Sequence, residues 1–393
     1  MRSGGSTLPK GDMGLNKEDV LIVQGNEACV KGAIRAGCRF FAGYPITPAS
    51  EIAEQMAHEM PGCNGSFVQM EDEIGSISAI MGAVWGGKKA CTATSGPGFS
   101  LMQEGIGYAV ETETPCVIIN VMRGGPSTGQ PTVSSQQDIM QARYGSHGDY
   151  EIIALCPSSV QDCYELTVKA FNLAEKFRNP VVVLSDEIVG HTREILRIPD
   201  KIDVWERRAP KASPDTYKPY QADASGLLDG MPAFGQGFRL LVDGQLHDET
   251  GNRKGADTKI SGALMKRLCR KITDHTDELE DVRTAFTDDA NVLVVAYGSV
   301  ARSAFSAVRS ARRNNHKVGF FQPRILWPFP EKALLRILDG VTRIVVPEMN
   351  MGKISREIER ISCGIEVVSL AKVGGMLHTP GEILDAVENV DES

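Results

Sequence analysis

The sequence predicts a parallel α/β fold in two blocks joined by an extended connection, and three observations carry that prediction. From about residue 20, short runs rich in Val, Ile and Phe alternate with helix-length amphipathic segments. Around residue 196 the alternation stops, and Pro199, Pro210, Pro214, Pro219 and Pro232 fall in a stretch with many charges and few apolar runs. From 291 the alternation resumes. A βαβα order needs crossovers that lay helices on both faces of a parallel sheet. The 393 residues also exceed what one core usually serves.

In the first block the spacing predicts strands at 38–42, 66–70, 90–94, 116–122, 151–155 and 180–185. Helices are expected over 26–36, 49–60, 74–86, 100–110 and 159–177, where apolar residues recur at three and four. The connection covers 196–235. The remainder, 236–393, opens with a polar insertion at about 243–290, in which a charged helix is expected over "MKRLCRKITDHTDELEDVRTAF". Alternation follows at 291–297, 302–313, 317–321, 331–338, 342–346 and 366–370. Residues 1–19, polar and Gly-rich, are expected to be disordered.

Composition removes several classes of function. A net charge of −8 and a pI near 5.5 argue against nucleic-acid binding through phosphate neutralisation, while leaving room for a small anionic substrate. No run approaches the ~18 apolar residues of a membrane span, and the amino terminus lacks a signal-like apolar core. The expectation is a soluble, cytoplasmic protein, with neither membrane nor nucleic acid as partner. The nine cysteines show no C-x-x-C spacing, so neither a zinc site nor an iron–sulfur site is written locally, and they read as buried reduced thiols.

Several stretches carry candidate chemistry. In "GYPITPAS" (43–50), Thr47 stands just past a strand, where ligands gather in parallel sheets. It reads either as a helix cap with Pro48 as first helical residue, or as a ligand-facing hydroxyl. Glu71, Asp72 and Glu73 precede a helix lined by small residues; three carboxylates exceed what capping needs, and the small face suggests close packing on another helix or subunit. The glycine-rich turn in "TATSGPGFSLMQEG" (92–105) matches no phosphate-loop pattern, leaving a close ligand approach and a plain strand-to-helix turn both open. Arg123 ends a buried strand and needs an anion, either a substrate carboxylate or a neighbouring acid. His147, in "YGSHGDY", reads as a surface turn. "AYGSVARSA" (296–304) has the form of an anion cradle, with structural support as its alternative.

Together these stretches resemble the α subunit of the 2-oxoacid:ferredoxin oxidoreductases, particularly those acting on 2-oxoglutarate. "GYPITPAS", "EDEIGS", "TSGPGFSLMQEGIGYA", "ETETPCVIINVMRGGPSTGQPT", "GSHGDYEIIAL" and "RNPVVVLSDEIVGH" carry the likeness, in order, and it continues to the C-terminal block. The resemblance implies a thiamine-diphosphate-binding domain of the pyrimidine type at 20–195 and a transketolase C-terminal-like α/β domain at 236–393. It implies oxidative decarboxylation of 2-oxoglutarate with coenzyme A to succinyl-CoA and CO2, electrons passing reversibly to ferredoxin. Glu73 matches the glutamate that bonds the aminopyrimidine of the cofactor, and such a carboxyl should have a raised pKa. Thr47 and Arg123 match the substrate-holding positions and are expected to converge on one pocket.

The same resemblance implies a partner. No G-D-G motif with a downstream Asn is present to hold Mg2+ and diphosphate, and no cysteine framework for a cluster. A β subunit is therefore expected to supply the Mg2+, the diphosphate site and a [4Fe-4S] cluster, with γ and δ functions on separate subunits. "GGMLHTPGEI" (374–383) is a candidate coenzyme A path. Two other readings stand beside this one: a branched-chain or pyruvate-specific relative, and a non-catalytic assembly subunit.

Overall fold

The computed structural model describes residues 19–388, so the amino-terminal stretch expected to be disordered lies, up to residue 18, outside the described residues. The first block runs β1 (Asp19–Gln24), α1 (Gly25–Arg35), β2 (Cys38–Gly43), α2 (Ser50–Glu59), β3 (Ser66–Gln69), α3 (Glu73–Trp85), β4 (Lys89–Thr94), α4 (Gly96–Leu101), α5 (Gln103–Glu111) and β5 (Val117–Gly124). It continues through β6 (Gln130–Ser134), α6 (Ile139–Tyr144), β7 (Ile153–Leu155), α7 (Val160–Phe177), β8 (Val181–Asp186), α8 (Glu187–His191) and β9 (Arg193–Ile198). After a long irregular segment come α9 (Thr258–Thr273), β10 (Val282–Ala285), β11 (Val292–Val295), α10 (Val300–Arg313), β12 (Val318–Pro323) and β13 (Ile325–Trp327). The chain closes with α11 (Glu331–Leu335), β14 (Arg343–Glu348), α12 (Lys353–Ile361), β15 (Glu366–Ala371) and α13 (Pro380–Glu388).

The large sheet has the order β13-β7-β8-β5-β4-β2-β3. Its central strands β4, β5 and β8 are buried at every position, as strands covered on both faces must be. The pairs from β7 to β3 are parallel. Two strands break the parallel rule. β6 folds back antiparallel on β5, and β13, contributed from the far end of the chain, caps the β7 edge antiparallel. The second sheet, β10-β12-β11-β14-β15, is parallel except for β10. An antiparallel ribbon of β1 and β9 stands apart from both.

Residues 199–257 contain no named strand or helix, and polar side chains pin them to the first block. Lys89 donates to the Trp205 carbonyl at 2.6 Å, and Arg207 forks onto Glu175 at 2.6 and 2.9 Å. The charged helix expected at 265–286 is shorter and starts earlier: α9 is capped by Asp257 and ends at Thr273. Its expected tail becomes β10 because Val282 and Thr284 find a partner in β12, and pairing overrides the local pattern. The inner face of α9 is tied to the first block by an ion cluster. Lys271, fully buried, donates to Glu113 at 3.0 Å and to the Arg178 carbonyl at 3.0 Å, and Arg267 forks onto the same carboxylate.

One apolar cluster runs between the sheets, uniting Ile118 and Val182 with Val295, Phe321 and Ile344. Across that contact Gln136 acts as a polar rivet. Its Nε2 donates to the Tyr297 carbonyl at 2.8 Å, its Oε1 accepts from the Met349 N–H at 3.1 Å, and its own N–H donates to the Met349 carbonyl at 3.1 Å. Tyr297 in turn donates to the buried Glu348, whose carboxylate accepts the N–H groups of Ile354 and Ser355 at the start of α12.

Candidate active site

The turn after β2 is held from behind. Asn26, buried on α1, donates to the Pro48 carbonyl at 2.9 Å, and the Ala49 N–H donates to the Ile46 carbonyl at 2.8 Å. The capping reading of Thr47 is not what forms: α2 begins at Ser50, its cap position is Ala49, and no side chain caps it. A two-residue register difference, from Thr47 to Ala49 at the cap, leaves the Thr47 hydroxyl out of capping, and Thr47 is exposed. Its carbonyl points inward, accepting Arg123 Nη1 at 2.7 Å.

Arg123 is 5% exposed at the end of β5. Its Nη2 donates to the Thr128 carbonyl at 3.0 Å, so both terminal nitrogens hold backbone and no acid takes them. The Nε is buried without a partner among the described residues. Ser135 fixes the backbone, donating its hydroxyl to the Arg123 carbonyl at 3.0 Å. Burial lowers the guanidinium pKa, while Asp138 and Glu73 oppose that shift.

The acidic triplet divides its labour. Glu71 and Asp72 are exposed, and Asp72 caps α3 by accepting the Gly75 N–H at 2.7 Å. Glu73, the first helical residue, turns inward and is 4% exposed. Burial raises its pKa, its own N–H and Arg123 oppose the rise, and Asp72 adds to it.

The glycine turn is a close approach. A Cβ on Gly98 would lie 2.3 Å from Glu73 Oε1 and 2.2 Å from Thr94 Oγ1, and one on Gly96 would lie 3.2 Å from Arg123 Nε. Gly96 also has φ +44°, a region that favours glycine. The cradle therefore brings Glu73 and Arg123 to one glycine-lined space. Around it the hydroxyls of Thr92, Thr94 and Ser95 are buried without partners among the described residues. Orphaned donors beside a cleared backbone are what a polar, flat ligand would satisfy.

The remaining candidates lie elsewhere. His147 is exposed, 3.6 Å from Glu104, on the surface loop its sequence suggested. The cradle at 296–304 is filled by the chain itself, since the Ser299 N–H donates to Asp186 Oδ2 at 2.8 Å. Asp138, which accepts from Asn120 at 3.0 Å, joins the Arg123 neighbourhood without any local motif to announce it. Among the described residues no helix is long and apolar enough to cross a membrane.

Comparisons with known proteins fall on the same residues. Residues 31–265 match the family described as pyruvate flavodoxin/ferredoxin oxidoreductase, thiamine diP-binding, and residues 290–383 match the pyruvate:ferredoxin oxidoreductase core domain II. The chain is 54% identical over 367 residues to 2-oxoglutarate synthase subunit KorA of Methanothermobacter marburgensis, covering 93% of this chain and 98% of that one. It is 34% identical over 371 residues to ketoisovalerate oxidoreductase subunit VorB of Methanothermobacter thermautotrophicus, covering 94% and 97%. A solved 2-oxoglutarate:ferredoxin oxidoreductase from Magnetococcus marinus, with 2-oxoglutarate, coenzyme A and succinyl-CoA bound, superposes with a TM-score of 0.87 at 34% identity. That match covers 94% of this chain and 65% of the longer one. A split-gene transketolase, at 12% identity and a TM-score of 0.52, shares the fold.

Proposed function

The chain belongs to the pyruvate flavodoxin/ferredoxin oxidoreductase family, and from that premise we propose that it is the α subunit of a 2-oxoglutarate:ferredoxin oxidoreductase. The reaction converts 2-oxoglutarate and coenzyme A to succinyl-CoA and CO2, reversibly, with ferredoxin as electron acceptor. The observation that carries the reading is the glycine-cleared space shared by Glu73 and Arg123.

Thiamine diphosphate, bound there, supplies the nucleophilic carbon and electron sink that decarboxylating a 2-oxoacid requires. The residues present fit its aminopyrimidine. Gly98 lets the Glu73 carboxyl and Gly96 the Arg123 guanidinium lie against the turn backbone, and the unpartnered hydroxyls of Thr94 and Ser95 offer polar contacts beside them. Glu73, whose carboxyl burial pushes toward the protonated form, would hold a ring nitrogen of the bound cofactor through that proton. Arg123 presents its open Nε edge to the substrate carboxylate, and the Thr47 hydroxyl reaches the keto oxygen.

The Mg2+, the diphosphate site and a [4Fe-4S] cluster are assigned to a β subunit, because the sequence pattern for them is missing from this chain. The outer face of α3 supports such a partner: Ile74, Ser78 and Gly82 lie open to solvent beside Glu73. γ and δ functions are assigned to separate chains, and the assembly to the cytoplasm. The test is an initial-rate comparison of the assembled complex on 2-oxoglutarate, pyruvate and 2-oxoisovalerate. Preference for 2-oxoglutarate is expected, and preference for 2-oxoisovalerate overturns the substrate assignment.

A further inference from the structure

A dicarboxylic substrate poses a problem that Arg123 alone does not solve. Each carboxylate taken from water needs a cation or several donors, and Arg123 serves one end. The second domain brings a cation close enough to act on Asp138, as Arg123 does. Lys353 is the first residue of α12, and its N–H donates to Asn350 Oδ1 at 2.9 Å. Asn350 is buried, and its Nδ2 donates to the Gln136 carbonyl at 2.8 Å and to the Tyr297 hydroxyl at 2.9 Å.

That brace has a consequence for the substrate strand. Gln136 follows Ser135, which holds the Arg123 carbonyl, and precedes Asp138 by two residues. The loop bearing Lys353 is thus locked onto the segment between Arg123 and Asp138. Asp138 feels both cations: Lys353 and Arg123 each oppose the upward pKa shift that burial imposes on it. The Lys353 ammonium makes no hydrogen bond or ion pair with a described residue, so it is a half-buried cation without a fixed partner.

We propose that Lys353 is a specificity-determining residue that receives the far carboxylate of a dicarboxylic 2-oxoacid whose near carboxylate pairs with Arg123. The assignment rests on the 2-oxoglutarate reading above. Burial favours the neutral form of Asp138, which limits its repulsion of an incoming dianion. Lys353 is supplied by the second domain, so substrate choice depends on the docking of the two domains through Gln136 and Asn350.

The test uses the assembled holo-complex carrying Lys353→Gln or Lys353→Met, assayed for ferredoxin reduction on 2-oxoglutarate, pyruvate and 2-oxobutyrate. The KM for 2-oxoglutarate should rise about 10- to 100-fold, the range for losing one charge-assisted hydrogen bond. The KM for the two monocarboxylic acids should stay level, and Lys353→Arg should restore part of the 2-oxoglutarate affinity. An unchanged KM for 2-oxoglutarate, or an equal rise for all three acids, overturns the assignment. Failure of the underlying substrate reading is seen separately, in a wild-type complex that prefers a monocarboxylic acid.

Discussion

Arg123 Nη1 donates to the backbone carbonyl of Thr47 at 2.7 Å, joining residues 76 apart in sequence. The same guanidinium reaches the Thr128 carbonyl, so one side chain fixes the turn after β2 and the loop after β5. A lysine has no planar fork to span two carbonyls and a substrate. Arg123→Lys should lower kcat/KM about 100-fold or more on every 2-oxoacid, measured by ferredoxin reduction, and loosen both loops to hydrogen exchange.

Thr47→Val separates the hydroxyl from the carbonyl. The carbonyl bond to Arg123 survives and Thr47 is exposed, so the melting temperature should hold within about 2 °C. Turnover should fall about tenfold if the hydroxyl meets the substrate, as for loss of one hydrogen bond. Unchanged turnover would return Thr47 to a purely structural role.

Glu73→Gln in the assembled complex should cut kcat by about 100- to 10,000-fold, the range for losing a positioned acid–base group. A non-catalytic assembly subunit would leave turnover intact. The pH dependence has a defined sign. The folded state binds this proton more tightly than the unfolded chain, so burying Glu73 costs stability as pH rises above its ordinary carboxylate value. Glu73→Gln removes that cost, and its melting temperature should exceed wild type at neutral pH and converge with it in acid.

Gly98→Ala tests the cradle without touching a titrating group. The added methyl would stand 2.3 Å from Glu73 Oε1, so the carboxyl must move. Activity should fall by about 100-fold, since displacement by about 1 Å is enough for such a loss. The circular dichroism spectrum should be unchanged.

Glu113→Gln tests the tie between α9 and the first block. Lys271 and Arg267 hold the Glu113 pKa down at about 2 against its burial. Lys271, crowded by Arg267 and Arg178 and fully buried, is itself lowered to about 8, so the gain belongs to the carboxylate. Removing it strands a buried ammonium and should cost about 3–5 kcal/mol in denaturant unfolding. In wild type the contribution is fully present above the unfolded value near 4.5 and is lost as pH falls toward about 2.

Much of this was legible in the residues, for a physical reason. The buried strands of "VIINVMRG" and "VVVLSD" announce themselves by their β-branched apolar runs, since a parallel strand covered on both faces is filled mostly by apolar residues. The site turns were legible as turns, from their prolines and glycines. The close approach of Gly98 to Glu73 was not, because nothing near Gly98 says which side chain will face it. Gln136 was wholly silent: it bonds Tyr297 and Asn350 across 161 and 214 residues, and one glutamine among polar neighbours carries no periodic signal. The helix expected through 286 failed for a related reason, since the β10 partner lies in β12.

The antiparallel pairing of β13 with β7 bears on biosynthesis. The large sheet draws its last strand from residues 325–327, so its β7 edge stays unpaired until that segment has left the ribosome. An open edge with a buried pattern invites pairing with other chains. A nascent chain cut anywhere between the two family matches, before residue 290, would carry that exposed edge permanently. Translation must therefore pass well into the second domain before the first is safe from its neighbours.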